Sequence, residues 1–323
     1  MPNKNTRMAS AKRNKNDEFY TQLTDIEKEL KHYHHILKGK VIFCNCDDPT
    51  ESNFWQYFAR NFDFLEIKKL ISTHYEPVKA SYKLEITREM NEHGVVDSFV
   101  TETPLKSNGD FRSDECIEML KESDIVITNP PFSLFREYVS QLAEFNKQFI
   151  IIGSQNAVTH KEIFKLIKNN KIWYGHSIHG NDREFKVPDD YPLHASRSRI
   201  DEEGNKYIRV TGVRWFTNVE YDQRYEDIIL YKRYNKEEFP HYDNYNAINI
   251  NRTKDIPMDF KGVMGVPITF MDKYNPEQFE IVGCSYSYGE PVGYHHEGTS
   301  FNGIVNGENV YKRIFITNKN PVM

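Results

Sequence analysis

The sequence predicts an α/β protein with a doubly wound, mostly parallel sheet and a smaller C-terminal region. Runs such as residues 125–127 are continuously apolar and β-branched, which is typical of strands covered on both faces. These runs alternate with segments of helical periodicity, as in successive βαβ units. The chain of 323 residues also exceeds the roughly 250–300 residues at which one core stops growing. We therefore expect one large α/β domain and a smaller lobe.

The composition excludes several classes of protein. No apolar run approaches the ~18 residues of a membrane span, and the N-terminus lacks the apolar region of a signal peptide, so we expect a cytosolic protein without membrane contact. Four cysteines are too few for a disulfide scaffold, and Cys44 and Cys46 are expected to be buried thiols rather than zinc ligands. The formal charge of −5 neither supports nor excludes binding to nucleic acid, because a local basic face is what attracts phosphate.

The N-terminal segment, residues 1–16, is predicted to be a mobile basic arm. It contains five basic residues and no acidic residue, with almost nothing to bury. Lys12, Arg13 and Lys15 are therefore candidate contacts for DNA phosphates. A solvated tail without a partner is the alternative.

The first half of the sheet is predicted from alternating helices and strands. An acidic and aromatic cluster at residues 17–22 opens a helix that ends near residue 38. Residues 40–45 form the first strand, and residues 46–49 form the turn into a helix that ends near residue 62. Residues 65–73 form the second strand, and an inserted hairpin with a polar loop is expected within residues 77–108.

The most informative stretch is a strand that runs into the turn Asn129-Pro130-Pro131-Phe132. Two prolines fix φ, and the first biases Asn129 toward an extended conformation, so its amide is held at a defined angle. The Asn129 oxygen and the Pro130 carbonyl can accept two hydrogen bonds from an amino group, while Phe132 stacks on a planar ring. The pattern predicts a site for an amino-bearing base, and an ordinary proline turn is the alternative.

The elements after this turn continue the alternation. Ser133 is predicted to cap the next helix. Further strands are predicted at residues 149–153, 171–175 and 213–218, with a helix over about 159–169. Residues 176–212 are polar and turn-rich, and we expect them to form a loop region that faces DNA. Its candidate DNA contacts are Arg183, Arg197 and Arg199.

The composition changes beyond residue 230, where Tyr, Asn, Lys and Asp become frequent. Asparagine side chains can read adenine edges, and tyrosines can pack on sugar or base. The candidate DNA-binding residues here are Tyr242, Asn244, Asn246 and Asn249. A polar surface built on Asx turns is the alternative.

Two motifs carry a resemblance to a known family. Asn129-Pro130-Pro131-Phe132 matches the [DNS]-P-P-[FYW] motif of S-adenosylmethionine-dependent amino-methyltransferases. The glycine-poor turn Asn45-Cys46-Asp47-Asp48-Pro49 resembles the corresponding segment of EcoRI-type adenine-specific DNA methyltransferases. Similar blocks occur in the expected order at residues 17–22, 40–70, 109–142, 171–174 and 242–283. The resemblance implies a Rossmann-like methyltransferase fold, with a catalytic domain over residues 17–230 and a target-recognition and C-terminal region over residues 231–323.

The resemblance implies S-adenosylmethionine as the cofactor. Residues expected near its methionine end are Asp17, Phe19, Tyr20, Thr21, Cys46, Asp47, Asp48 and Pro49. Glu76, at the end of the second strand, is the candidate for the ribose hydroxyls. Asp110 is the candidate acceptor for the amino group of the cofactor's adenine, with Phe111 beside the ring. A turn followed by a Ser113 N-cap is the alternative there. Asn129 is expected to border the cofactor as well.

The implied function is transfer of the cofactor's methyl group to N6 of an adenine flipped out of double-stranded DNA. The catalytic residues would be Asn129, Pro130, Pro131 and Phe132. Such an enzyme would be the modification half of a type II restriction-modification system, with GAATTC as the site that the family suggests. We expect a monomer that requires no metal, and any cognate restriction endonuclease would act on the same site without direct contact.

Other functions fit parts of the same pattern. Methylation of N4 of cytosine, or of an amino group in RNA or protein, agrees with the proline motif equally well. Methylation of cytosine C5 does not, since it needs an attacking thiolate and the sequence has no Pro-Cys pair. A non-catalytic DNA-binding module could retain the fold. A nuclease is disfavoured because Pro188-Asp189 has no convincing acidic partner.

Overall fold

A computed structural model gives the fold of residues 19–46, 48–90, 96–180, 182–189, 191–193, 197–285 and 302–323. The chain forms two compact units. The first combines the chain up to Ser154 with Ser177–Val219, and the second combines Gln155–His176 with Glu220–Met323. The sequence instead suggested one boundary near residue 230, with residues 155–176 in the catalytic domain. The predicted arm, residues 1–16, lies outside the described residues.

The described part of the chain contains eighteen strands, most of them short, and six α-helices. In chain order the strands are β1 (Tyr20–Thr21), β2 (Val41–Cys44), β3 (Lys69–Thr73), β4 (Tyr82–Met90), β5 (Val96–Pro104), β6 (Ile125–Thr128), β7 (Gln148–Ser154), β8 (Trp173–Tyr174), β9 (Arg183–Val187), β10 (Ser198–Ile200), β11 (Lys206–Val210), β12 (Val213–Thr217), β13 (Ile248–Asn249), β14 (Met264–Pro267), β15 (Phe279–Cys284), β16 (Ile304–Val305), β17 (Glu308–Asn309) and β18 (Arg313–Asn318). The α-helices are α1 (Leu23–Leu30), α2 (His34–Leu37), α3 (Asn53–Arg60), α4 (Asp114–Glu122), α5 (Phe135–Glu144) and α6 (Lys161–Lys168). No helix in the described part of the chain is long and apolar enough to cross a membrane.

The main sheet of the first unit has the strand order β5-β4-β3-β2-β6-β7-β12. Its centre is parallel, because β2 pairs in parallel with β3 and β6, and β6 pairs in parallel with β7. The flanking strands β4, β5 and β12 are antiparallel to their neighbours. The predicted α/β class is therefore confirmed, with a mixed sheet around a parallel centre. The hairpin expected within residues 77–108 is present as β4 and β5.

The direction in which strands are added reverses between β2 and β6. The chain passes from β2 to β3 on one side and later places β6 on the other side of β2. In open α/β sheets, ligands bind outside the carboxyl ends of the strands at such a switch point. Every residue of β2 and β6 is buried, as expected for apolar strands covered on both faces. The residues that follow these two strands are therefore the first candidates for a site.

Helix starts show one confirmed cap and one wrong prediction. Ser113 caps α4 by accepting a hydrogen bond from the Cys116 amide at 3.3 Å. Ser133 does not cap α5. Residues Phe132–Leu134 instead form a 3₁₀ turn, in which the Leu134 amide donates to the Pro131 carbonyl at 3.0 Å, and α5 begins at Phe135. The 3₁₀ turn therefore leads directly into α5, which has no side-chain cap.

A second, antiparallel sheet of the first unit has the order β1-β9-β11-β10. The prediction of a loop over residues 176–212 was wrong, since three of these strands lie there. In β9 the buried residues Phe185 and Val187 alternate with more exposed charged residues. The sequence contains this alternation with a period of two, but the many charged residues around it made the segment look like a loop.

The second unit contains a sheet with the order β13-β14-β18-β15. Only β13 and β14 are parallel neighbours, and β18 pairs antiparallel with β14 and β15. One core cluster of this unit consists of Tyr242, Tyr245, Ala247 and Phe315. A side chain at Gly265 would place its Cβ only 2.4 Å from the Tyr242 hydroxyl, so the strand carries a glycine where the tyrosine crosses it.

Candidate active site

Asn129 is the first residue after β6 and is 6% exposed. Its Nδ2 donates a hydrogen bond to the backbone carbonyl of Phe19. This contact orients the amide, so the side-chain oxygen is the atom that Asn129 can present to an amino-group donor. Two residues that the sequence assigned to the same site, 110 positions apart in the chain, are thus brought together.

An aromatic cluster adjoins the Asn129 turn. The ring of Phe19 lies edge-on to Phe132, with ring centroids 5.5 Å apart, and contacts Phe185 at 5.8 Å. Phe132 itself is half-buried. Edge-to-face contacts of this kind hold a ring at a defined orientation while leaving a face for stacking. Phe185 was not singled out in the sequence, because β9 was read as loop.

The turn after β2 was predicted to bind the methionine end of the cofactor. Asp48 accepts hydrogen bonds from the amide and hydroxyl of Thr50 at 2.9 and 2.8 Å, and its other oxygen lies 3.7 Å from His74 Nε2. Burial and the Asp48 carboxylate together raise the pKa of the Tyr82 phenol, whose hydroxyl donates to Asp48 at 3.4 Å. Asp48 is thus partly engaged in shaping the turn. Asp47 lies outside the described residues.

The predicted cysteine and threonine positions lie in the same region of the unit. Cys44 is a buried thiol and Cys46 a half-buried thiol, and neither forms a disulfide with a described residue. Thr21 and Tyr20 form β1, and both are buried. Asn53, the first residue of α3, donates to the Thr21 carbonyl at 2.7 Å. The helix that follows the β2 turn is therefore tied directly to Thr21.

The end of β3 contacts the loop that contains Asp110. Glu76, predicted to bind ribose, is half-buried and donates its amide to the Asn108 carbonyl at 2.8 Å. Gly109 adopts φ +78°, and a Cβ at this position would lie 1.9 Å from the His74 carbonyl oxygen. Only glycine satisfies both the positive φ and this close backbone approach.

Asp110 forms a two-pronged ion pair with Arg112. The Arg112 Nε and Nη2 atoms donate to the two Asp110 oxygens at 2.8 and 2.6 Å. Burial opposes ionisation of Asp110, but the hydrogen bonds and charge of Arg112 outweigh it and lower the pKa of the carboxyl group. Oδ1 also accepts from the Arg112 backbone amide at 2.9 Å, so Oδ2 is the oxygen with a lone pair for a further hydrogen bond. Phe111 is 5% exposed and packs edge-on against Tyr138 at 5.1 Å.

Several buried polar atoms lie at the carboxyl ends of β1, β2 and β3. They make no hydrogen bond to any described residue, and they are Thr21 Oγ1, Asn45 Nδ2, Ser72 Oγ and His74 Nδ1. Buried polar atoms are normally hydrogen-bonded, so such a group marks a place where a polar ligand would supply the partners. S-adenosylmethionine offers both donors and acceptors, and these residues fit it. Sequence reasoning missed Asn45, Ser72 and His74, although each ends or follows a strand next to the switch point.

The chain was compared with known proteins. A sequence profile described as adenine-specific methyltransferase EcoRI matches residues 7–319. The chain is 45% identical to the type II methyltransferase M.EcoRI of Escherichia coli over 98% of this chain and 97% of that protein. It is 41% identical to M.MpnI of Mycoplasma pneumoniae and to M.MgeORF184P of Mycoplasma genitalium, over 85% of this chain and 84% of each relative.

The chain belongs to the EcoRI adenine-specific methyltransferase family. It is thus an enzyme of the type II restriction-modification kind, as the sequence predicted, and its family uses S-adenosylmethionine. No solved structure matches the chain. The Asn129 turn is therefore the main candidate for the catalytic site, because its motif is the one expected to bind the target amino group.

Three arginines were predicted to contact the DNA substrate of this methyltransferase. Arg197 is exposed. Arg183 lies 3.5 Å from Asp25, and Arg199 donates to Glu184 at 3.0 Å and stacks over Tyr207 at 4.0 Å. Ion pairs with described residues thus engage Arg183 and Arg199, and the assignment of Arg197 to phosphate binding stays a prediction.

Three of the four residues of the second unit that were predicted to bind DNA are buried. Tyr242, Asn244 and Asn249 are 5%, 2% and 4% exposed. The Tyr242 hydroxyl donates to Asn249 at 2.8 Å, and Asn244 bonds the Asn302 carbonyl and the Ile304 amide at 2.9 and 2.8 Å. These three side chains hold the unit together, so their prediction as DNA contacts is corrected. Asn246 is exposed and stays a prediction.

Five further predicted residues are not among those that the structure describes. They lie outside the described residues and are Lys12, Arg13, Lys15 and Asp17, together with Asp47 of the turn.

Proposed function

We propose that this enzyme transfers the methyl group of S-adenosylmethionine to N6 of an adenine that is flipped out of duplex DNA into the Asn129 turn. The orientation of the Asn129 amide by the Phe19 carbonyl is the observation that best supports the proposal. With the amide oriented in this way, the side-chain oxygen of Asn129 is the atom that can accept from an amino group. Asn129 follows a buried strand at the switch point of the sheet.

The catalytic residues act on the amino group of the flipped base. An adenine amine is weakly nucleophilic because its lone pair delocalises into the ring. Acceptance of its two hydrogens by Asn129 Oδ1 and the Pro130 carbonyl favours a pyramidal nitrogen and frees the lone pair. Pro131 fixes the turn, and stacking on Phe132 offsets part of the few kcal/mol that flipping costs.

The cofactor-binding residues position the second reactant. S-adenosylmethionine supplies an electrophilic methyl group on a sulfonium centre. Thr21 and the turn after β2 would hold its methionine end, Glu76 its ribose, and the loop of Asp110 and Phe111 its adenine. Holding both reactants in register can supply up to ~7–11 kcal/mol of the barrier.

The substrate is proposed to be GAATTC in double-stranded DNA, methylated by a monomer one strand at a time. Arg197, Asn246 and the basic arm, with Lys12, Arg13 and Lys15, supply phosphate and base contacts. A cognate restriction endonuclease would act on the same site without touching this enzyme. No metal takes part, so transfer is expected to continue in EDTA.

Nucleoside mass spectrometry tests the reaction. DNA from a methylation-deficient host that expresses the wild-type chain should contain N6-methyladenine, and Asn129→Ala should reduce its rate of formation about 100-fold or more, as loss of one preorganised polar group does elsewhere. Asn61→Ala is a matched control, since Asn61 also donates its amide to a backbone carbonyl, that of Tyr57 at 2.8 Å. N4-methylcytosine, or unmodified DNA with labelled RNA or protein, would overturn the proposal.

The target sequence has a separate test. Plasmid DNA from the expressing host is treated with an endonuclease that cuts GAATTC. Resistance that disappears with Asn129→Ala supports the proposed site. Full cleavage of DNA that contains N6-methyladenine would refute GAATTC and leave the reaction standing.

A further inference from the structure

Tyr138 is a fully buried residue of α5 that links the catalytic turn to the cofactor region. Its helix begins directly after the 3₁₀ turn that contains Phe132. Its hydroxyl donates a hydrogen bond to Asn45 Oδ1, and its ring packs edge-on against Phe111 with centroids 5.1 Å apart. One side chain therefore touches the loop after β2 and the loop that precedes α4.

The contact with Tyr138 fixes the orientation of the Asn45 amide. The Cys46 thiol lies 3.7 Å from the same oxygen and also donates to it. Burial, reinforced by Cys46, raises the pKa of the Tyr138 phenol well above its ordinary value, so the hydroxyl stays protonated and remains a donor. With Oδ1 used in this way, the other end of the amide must be the NH₂ group.

That NH₂ group is buried and needs an acceptor. Asn45 is 3% exposed, and its Nδ2 makes no hydrogen bond to any described residue. An unmade hydrogen bond at a buried donor is costly in free energy, so a ligand that supplies the acceptor gains affinity. Asn45 follows β2, at the switch point where a ligand is expected.

The position of Asn45 selects one part of the cofactor. The proposed function assigns the adenine to Asp110 and Phe111 and the ribose to Glu76. The loop after β2 leads into α3, whose first residue, Asn53, donates to the carbonyl of Thr21 at 2.7 Å. Thr21 Oγ1 is a second buried atom without a described partner. Both atoms belong to the segments that the proposed function assigns to the methionine end, where the carboxylate is the strong acceptor.

We propose that Asn45 Nδ2 binds the carboxylate of the cofactor's methionine moiety and that Tyr138 is the residue that positions Asn45 for this contact. The inference rests on the proposed use of S-adenosylmethionine and adds two residues to its site. It also couples the helix behind the target-base turn to cofactor affinity through one hydrogen bond.

Calorimetric binding of two ligands tests the inference without turnover. S-adenosylhomocysteine carries the carboxylate, and its decarboxylated analogue, S-adenosyl-3-thiopropylamine, lacks only that group. A hydrogen bond to a charged group contributes enough that the Asn45→Asp variant should bind S-adenosylhomocysteine about 10- to 100-fold more weakly than wild type. Its affinity for the decarboxylated analogue should change less than about 3-fold, because aspartate still accepts from Tyr138.

The second variant tests positioning. Tyr138→Phe removes only the hydroxyl and keeps the ring against Phe111, so S-adenosylhomocysteine should bind about 5- to 10-fold more weakly while the analogue is little affected. Tyr33→Phe is the matched control, since Tyr33 is also fully buried and donates to Glu29 at 2.9 Å. Its effect on the melting temperature should be similar, with no change in the ratio of the two affinities.

Two results would overturn the inference. Equal losses for both ligands would mean that Tyr138 and Asn45 only stabilise the fold, and unchanged affinities would mean that neither residue serves the cofactor. Failure of the proposed function is distinguishable, because it would appear as DNA without methylated adenine while the binding differences persist.

Discussion

Replacing Gly109 by alanine should disturb the cofactor loop more than an ordinary glycine substitution. The positive φ of +78° costs roughly 1–2 kcal/mol for a residue with a Cβ. The added Cβ would lie 1.9 Å from the backbone oxygen of His74, so the loop or the end of β3 must move. Overpacking of this kind adds about 1–3 kcal/mol, and reduced entropy of the unfolded chain returns about 0.4–1 kcal/mol. The expected loss is therefore about 2–4 kcal/mol.

Gly204 provides a matched control for this substitution. It has φ +88°, and a Cβ there would meet nothing within 4 Å, so Gly204→Ala carries the conformational cost alone. Urea denaturation should show a loss of about 1 kcal/mol or less for Gly204→Ala. Binding of S-adenosylhomocysteine should weaken about tenfold only for Gly109→Ala, since the displaced loop carries Asp110 and Phe111. Equal effects of the two substitutions on stability and binding would refute the reasoning.

Three further predictions concern the ion pair, the buried amides and the DNA surface. Arg112→Gln should destabilise the protein at neutral pH, as measured by urea denaturation. The difference in stability from wild type should shrink as the pH falls through the lowered pKa of Asp110, because protonation of Asp110 removes the same interaction from wild type. A stability difference that does not depend on pH would contradict this. Asn244→Ala should cost about 1–3 kcal/mol of stability, because it leaves the partly buried Asn302 carbonyl and Ile304 amide without their partner. Asn246→Ala should spare stability and weaken DNA binding, which a filter-binding assay measures. Arg197→Ala should weaken binding to all DNA sequences and lower the salt slope by about 1, and an unchanged slope would exclude it as a phosphate contact.

The sequence was most informative where local chemistry determines structure. The apolar strand before Asn129 and the two prolines after it are enough to predict a fixed amide at a strand end. The resemblance carried by this motif and by the turn after β2 then led to the correct family. The hairpin within residues 77–108 was also predicted, although this segment has no clear periodicity.

Contacts between residues that lie far apart in the chain could not be predicted from local sequence patterns. Asn244 looks like a surface residue in the sequence, but its partners lie at Asn302 and Ile304, some 60 positions later. The pairing of Asn45 with Tyr138 spans 93 positions and gives the amide a direction that composition cannot reveal. The small sheet was missed for a related reason, because β9 pairs with β1 from the start of the described chain. Local propensity is a weak guide to such tertiary contacts.

The order in which the two units appear along the chain affects how the protein is made. Gln155–His176 is synthesised between two parts of the first unit, but the rest of its own unit begins only at Glu220. During translation the first unit can be completed while the apolar face of α6, with Ile163, Phe164 and Ile167, still lacks the segments that will bury it. Exposed apolar surface in a nascent chain favours aggregation. A chain that ends after residue 219 would keep this helix but lack the rest of the helix's own unit, so truncation there removes more than a C-terminal appendage.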